Sequence, residues 1–99
     1  MALVEISRGN PITFTATFLD ANGDLVVPNI ATLYLSYQSP AIRTLTSVIM
    51  TMQGTDGPWT AQWDSSVASA GIVYWSVRSD IPGSSEDGDF LLDANAANP

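Results

Sequence analysis

The chain has no cysteine, no histidine and no lysine among its 99 residues, and its only cations are Arg8, Arg43 and Arg78. Without cysteine it forms neither disulfides nor thiolate metal sites, which favours assembly in a reducing compartment such as the cytosol. Without histidine it lacks the commonest general base and metal ligand. A nucleophilic hydroxyl such as Ser65 or Ser66 would need a base beside it, and only carboxylates remain for that role. A carboxylate pair can act as acid and base, as in glycoside hydrolysis, but no spacing in this chain selects such a pair. The expectation is a protein that is not an enzyme and carries no cofactor.

Other absences narrow the partners. No apolar run approaches the roughly 20 residues of a membrane-spanning helix, so no membrane partner is expected. Ten carboxylates against three arginines give a net charge of −7. Such a surface repels phosphate backbones, which argues against direct nucleic-acid binding. The N-terminal MALVEISRG lacks a basic segment followed by an apolar stretch, the pattern of a signal peptide, so synthesis without one is expected. No segment of helical length carries a 3.6-residue apolar period. The length implies one domain, residues 1–93, that buries roughly 60–68% of its extended surface in a single core, followed by a polar tail, residues 94–99.

What the sequence does hold is alternation. Gly57–Val77 reads GPWTAQWDSSVASAGIVYWSV and contains all three tryptophans. Trp59, Ala61 and Trp63 share one face of an extended chain, and Val73, Trp75 and Val77 share another, the signature of half-buried strands. Ser65–Gly71, which contains SSVASA, joins them with room for a single helical turn. Upstream, Leu3–Ser7 is a candidate edge strand, where Glu5 or Arg8 would discourage further pairing. After the turn signal Gly9-Asn10-Pro11, Ile12–Leu19 alternates cleanly. Ile12, Phe14, Ala16 and Phe18 face one way, and the β-branched Thr13, Thr15 and Thr17 the other.

Ile30–Tyr37 puts Ala31, Leu33, Leu35 and Tyr37 on one face and Thr32, Tyr34 and Ser36 on the other. Arg43–Met52 alternates less cleanly, with a slip around Ser47 that a bulge or a split into two strands would explain. Gln53–Pro58 is a turn. Trp59–Asp64 and Ile72–Ser79 are strands, Asp80–Ser85 is a Pro-Gly turn, and Glu86–Asp93 is a final strand with Phe90 and Leu92 inward. About seven or eight short strands with turn signals every ~8–12 residues argue for an all-β, two-sheet antiparallel sandwich, with a small closed barrel as its rival.

Three sets of residues stand out as candidate sites. Asp20, Asn22 and Asp24 cluster two carboxylates and an amide, the donor types that calcium prefers. Their spacing does not fit an EF-hand loop, and Asn22-Gly23 is a tight-turn signal, so a hairpin turn is the better reading and no metal is expected. Glu86 and Asp87 begin an acidic run, which is most simply a solvated edge and more sharply a contact for a basic partner. Tyr34, Tyr74 and Arg78 are assigned to outward faces, and tyrosine and arginine are enriched at protein interfaces. The tryptophans could stack on a sugar, but all three fall on faces assigned to the core, where buried aromatics supply large apolar area.

Four segments carry a resemblance: RGNPITFTATFLDANGDLVVP (Arg8–Pro28), DGPWTAQW (Asp56–Trp63), GIVYWSV (Gly71–Val77) and EDGDF (Glu86–Phe90). The chain resembles small immunoglobulin-like proteins of phage and prophage virions. Val73 and Trp75 stand where antibody-type domains keep an aromatic and a cysteine, so it looks like a disulfide-free bacterial or viral Ig-like domain. The resemblance implies an immunoglobulin-like β-sandwich of seven to eight antiparallel strands. It further implies a structural virion protein, either a capsid decoration or a head–tail accessory, assembled in the host cytoplasm. The implied partner is a major capsid protein or another virion protein, with homo-oligomers compatible. The expected interface, drawn from the outward faces and the acidic run rather than from the resemblance, comprises Tyr34, Tyr74, Arg78, Glu86 and Asp87. A carbohydrate-binding or adhesive Ig-like module is the alternative, and it would require exposed aromatics or bound calcium.

Overall fold

The computed structural model describes residues 2–9, 11–39, 42–55 and 58–92. Within these, eight strands form a β-sandwich: β1 (Ala2–Ser7), β2 (Ile12–Phe18), β3 (Ala31–Gln38), β4 (Arg43–Ile49), β5 (Thr51–Met52), β6 (Trp59–Trp63), β7 (Gly71–Ser79) and β8 (Glu86–Leu92). One sheet has the order β1-β2-β6-β5 and the other β4-β3-β7-β8, and every pairing is antiparallel. The expected Arg43–Met52 divides into β4 and β5, and the last residue of the expected Glu86–Asp93 lies outside the described residues; the other expected strands differ from these by a residue at one or both ends. The tail Ala94–Pro99, Asn10, Pro40 and the Asp56-Gly57 pair lie outside the described residues.

The alternation of β2 and β3 produces the two inner faces. Ile12, Phe14, Ala16 and Phe18 are buried on β2, and Ala31, Leu33, Leu35 and Tyr37 on β3. Trp59, Ala61 and Trp63 of β6 and Val73 and Val77 of β7 complete the facing layers with Phe90 and Leu92 of β8. Each large apolar side chain taken fully out of water contributes about 1.5–3 kcal/mol. Tyr37 and Trp63 meet across the core with ring centroids 5.0 Å apart. Phe14 sits 6.2 Å from Phe90 and 6.3 Å from Trp75, all in tilted geometry.

The slipped alternation of Arg43–Met52 is a change of sheet. The segment runs along β3 as β4, then crosses to β6 as β5. Met50 is the crossing point: its side chain is buried in the core and its amide donates to the Ala31 carbonyl over 2.9 Å. The break therefore falls three residues beyond Ser47, where a buried side chain rather than a bulge ends the first run.

Two carboxylates fasten the connections. Asp64 accepts from the Ser66 hydroxyl at 2.7 Å and the Ser66 amide at 3.0 Å, capping the short 3-10 turn Ser65–Val67. Those hydrogen bonds, the hydroxyl's first, hold the Asp64 carboxyl below its ordinary pKa. Asp80, just after β7, accepts from the amides of Asn29 and Ile30 ahead of β3. Partial desolvation pulls the Asp80 carboxyl upward, but the donated hydrogen bonds together outweigh it and leave its pKa lowered.

Trp75 departs from the fully buried position that its alternation predicts. Its face is inward, yet the side chain is only partly buried. The reason is its cross-strand partner, Gly88. The indole lies over that glycine so closely that a Cβ there would stand 2.5 Å from one ring carbon and 2.7 Å from another. A strand glycine at a close approach is what this packing requires. It carries the ring toward β8, at the margin of the sandwich, instead of into its centre.

Candidate docking face

The outer face of the second sheet follows from strand parity. On β3 the outward residues are Thr32, Tyr34, Ser36 and Gln38, and the register places Ile49, Ser47, Leu45 and Arg43 of β4 beside them. On the other side stand Arg78, Ser76, Tyr74 and Ile72 of β7, and beyond these Asp87, Asp89 and Leu91 of β8. Four strands thus present rows four side chains wide. The row through Ser36 runs Leu45, Ser36, Tyr74, Asp89, and the row through Tyr34 runs Ser47, Tyr34, Ser76, Asp87.

This face is apolar for a solvated surface. Leu45 is 80% exposed, Ile49 70% and Leu91 63%, while Tyr34, Tyr74 and Ile72 are each nearly half exposed. Singly exposed hydrophobics need no explanation, but several adjoining on one face mark interaction surfaces. Tyr34, Leu45 and Tyr74 wall an open depression of about 350 Å³ that Asp87 closes on one side.

The cations of the face are held by its own backbone and hydroxyls. The Arg43 guanidinium donates to the Ser36 carbonyl at 2.9 Å and the Ile72 carbonyl at 3.1 Å, and lies 5.1 Å from the centre of the Tyr74 ring. That contact braces the tyrosine ring against the strands. The Arg78 Nε donates to the Ser76 hydroxyl at 3.2 Å. Positive charge is thereby drawn onto β3 and β7, and negative charge stands on β8.

The structure brings Tyr34, Tyr74, Arg78 and Asp87 onto one face. Glu86 is placed elsewhere: it pairs with the inward Val77, so it belongs to the opposite side of β8. There it lines a cleft with Ala2, Leu3, Val4 and Trp75 between β1 and β8. Sequence reasoning did not single out Leu45, Ile49, Ile72 or Leu91. Ile72 and Leu91 were accessible from alternation alone, being out of phase with Val73 and with Phe90 and Leu92. Leu45 and Ile49 were hidden by the change of sheet at Met50, which obscured the phase of β4.

The Asp20 loop is closed on itself. The Asp20 Oδ1 accepts from the amides of Asn22 at 2.8 Å and Asp24 at 3.0 Å, and the Gly23 amide donates to the Asp20 carbonyl at 3.0 Å. Gly23 has φ 85°, which glycine adopts at no steric cost. A bridge between Leu19 and Leu25 completes the hairpin turn. Among the described residues no group of three or more Asp, Glu, His or Cys side chains is placed to hold a metal ion. Two tryptophans, Trp59 and Trp63, are buried in the core and offer no platform to a sugar.

Comparison with known protein families, with curated proteins and with solved structures finds no match to this chain.

Proposed function

We propose that this chain is a non-enzymatic structural protein that docks on a large, repetitive protein surface through the outer face of its second sheet. The role that fits is that of a capsid decoration or head–tail accessory protein of a phage-like virion, assembled in the host cytoplasm. One observation carries the docking: six large apolar side chains stand exposed on that single face. The virion assignment rests on the four resembling segments, and the strand order supports their Ig-like character. Immunoglobulin sandwiches place their first, second, fifth and fourth standard strands in one sheet and the remainder in the other. The orders β1-β2-β6-β5 and β4-β3-β7-β8 suit that plan, with β4 as the added strand beside β3.

The partner's chemistry follows from the face. An apolar centre around Leu45, Tyr34 and Tyr74 suits an apolar patch, and the carboxylates of Asp87 and Asp89 suit lysines or arginines on the partner's rim. Burial of the apolar centre supplies most of the affinity, and the charged rim sets orientation. On a symmetric shell, weak contacts of this kind add through avidity.

Quantitative mass spectrometry of purified virus-like particles from the source tests this. Decoration requires the chain at a copy number comparable with that of the shell protein. A few copies per particle would leave only the head–tail role, and absence from particles would sink both.

A further inference from the structure

We propose that two copies of this chain join edge to edge through β4, antiparallel, about a two-fold axis perpendicular to the second sheet. The sheets end in β1, β5, β4 and β8. Natural edges are protected by charge, proline, bulges or brevity. β1 carries Glu5, β8 carries Glu86, Asp87 and Asp89, and β5 is only two residues long. β4 has none of these protections: its seven residues, RTLTSVI, contain no proline, no glycine and no carboxylate. Its one charge, Arg43, is turned back over the sheet onto the Ser36 and Ile72 carbonyls and does not guard the edge. Alternate residues of an edge strand aim their backbone N–H and C=O groups away from the sheet, ready for another strand.

The strand carries apolar groups on both sides. Leu45 and Ile49 point outward, Val48 points inward against the core, and Thr44 and Thr46 point inward and are half-buried. This pattern suits a strand whose outer side becomes part of a wider apolar surface.

β4 matches itself. An antiparallel register centred on Thr46 pairs all seven residues of each copy and keeps inward side chains inward. Arg43 then lies opposite Ile49 of the second copy, Thr44 opposite Val48, Leu45 opposite Ser47, and Thr46 opposite its equivalent. Threonine and valine pairs are favoured cross-strand neighbours, and no like charges meet.

Net charge does not forbid the contact. The carboxylates of the second sheet stand on β8, three strands from β4. In the joined eight-stranded sheet the two β8 strands are seven spacings apart, roughly 33 Å, several times the Debye length at physiological salt. A second copy is therefore the occupant whose charge distribution this edge suits. The perpendicular two-fold leaves both outer faces on the same side. Leu45 and Ile49 of the two copies adjoin, and two docking faces merge into one bivalent face. The pairing stands whether or not that face meets a virion.

Sedimentation velocity over a concentration series tests it, with amide hydrogen exchange along β4 as a readout that needs no substitution. The wild-type chain is expected to form dimers as concentration rises, with the β4 amides slowing in step. Leu45→Lys with Ser47→Lys sets cations opposite cations across the seam, and Leu45→Glu with Ser47→Lys sets a carboxylate opposite a cation. Two symmetry-related pairs are expected to give the first variant a dissociation constant about two- to thirtyfold above the wild type's and the second one below it. A monomer up to about 1 mM, a range reaching even weak association, overturns the proposal. So does a dimer that ignores both pairs of substitutions, or one weakened alike by both, the mark of face-to-face stacking. β4 amides that exchange at the same rate at every concentration overturn it too.

Discussion

At the scale of single residues, Gly88 and the two structural carboxylates give the sharpest expectations. A methyl group at Gly88 collides with the Trp75 indole, where the available gap is 2.5–3.0 Å. Gly88→Ala is therefore expected to destabilise the fold by about 1–3 kcal/mol, the usual cost of overpacking. Chemical denaturation measures this, and a red shift of tryptophan emission should accompany the displaced ring. Stability unchanged by the methyl group would contradict the packing described. Asp64 and Asp80 both have lowered pKa values in the folded chain. Each binds protons more weakly folded than unfolded, so its contribution is present above the unfolded value of about 3.9 and is lost as pH falls through the folded value. Urea unfolding at a series of acidic pH values should show stability falling less steeply in Asp80→Asn than in the wild type. Equal slopes would show that the Asn29 and Ile30 amides do not bias the titration of Asp80.

At the scale of elements, the division of labour between the two sides of each strand sets what substitutions do. Phe14 of β2 is fully buried against Phe90 and Trp75, and Phe14→Ala is expected to cost about 3–5 kcal/mol in denaturation. Leu45→Ser and Ile49→Ser remove solvent-exposed groups from β4, and each should leave stability within about 0.5 kcal/mol. The same variants should lose particle binding, which cosedimentation reads. A large stability loss from Leu45→Ser would mean that this face is structural. Strands were legible in the sequence wherever a single sheet governed the phase. β2 and β3 declare their inner faces because Phe14 and Leu33 repeat with their neighbours every second residue. β4 and β5 did not, because Met50 belongs to neither strand and serves the core at the crossing between sheets. Trp75 was legible as inward but not as marginal, because that depends on Gly88, a partner thirteen residues away that only the register brings opposite. Within the site, Tyr34, Tyr74 and Arg78 follow from alternation and from the pairing of β3 with β7. Glu86 does not join them, since its neighbour Asp87 carries the outward phase of β8.

At the scale of the whole molecule, one side of the sandwich carries the exposed apolar area of the second sheet and the opposite edge of that sheet carries acid. A net charge of −7 favours basic over acidic surfaces as partners. Docking is expected to weaken as salt rises, since the Asp87 and Asp89 contacts lie at the solvent-exposed rim. The apolar centre should preserve most of the affinity. Hydroxyl-radical footprinting of the chain, free and on purified particles, probes this face most directly. Tyr34, Leu45 and Tyr74 should be protected on the particle, while Leu3 and Val27, exposed elsewhere, should react as they do in the free chain. Equal reactivity of Tyr34, Leu45 and Tyr74 in both states would contradict docking through the second sheet.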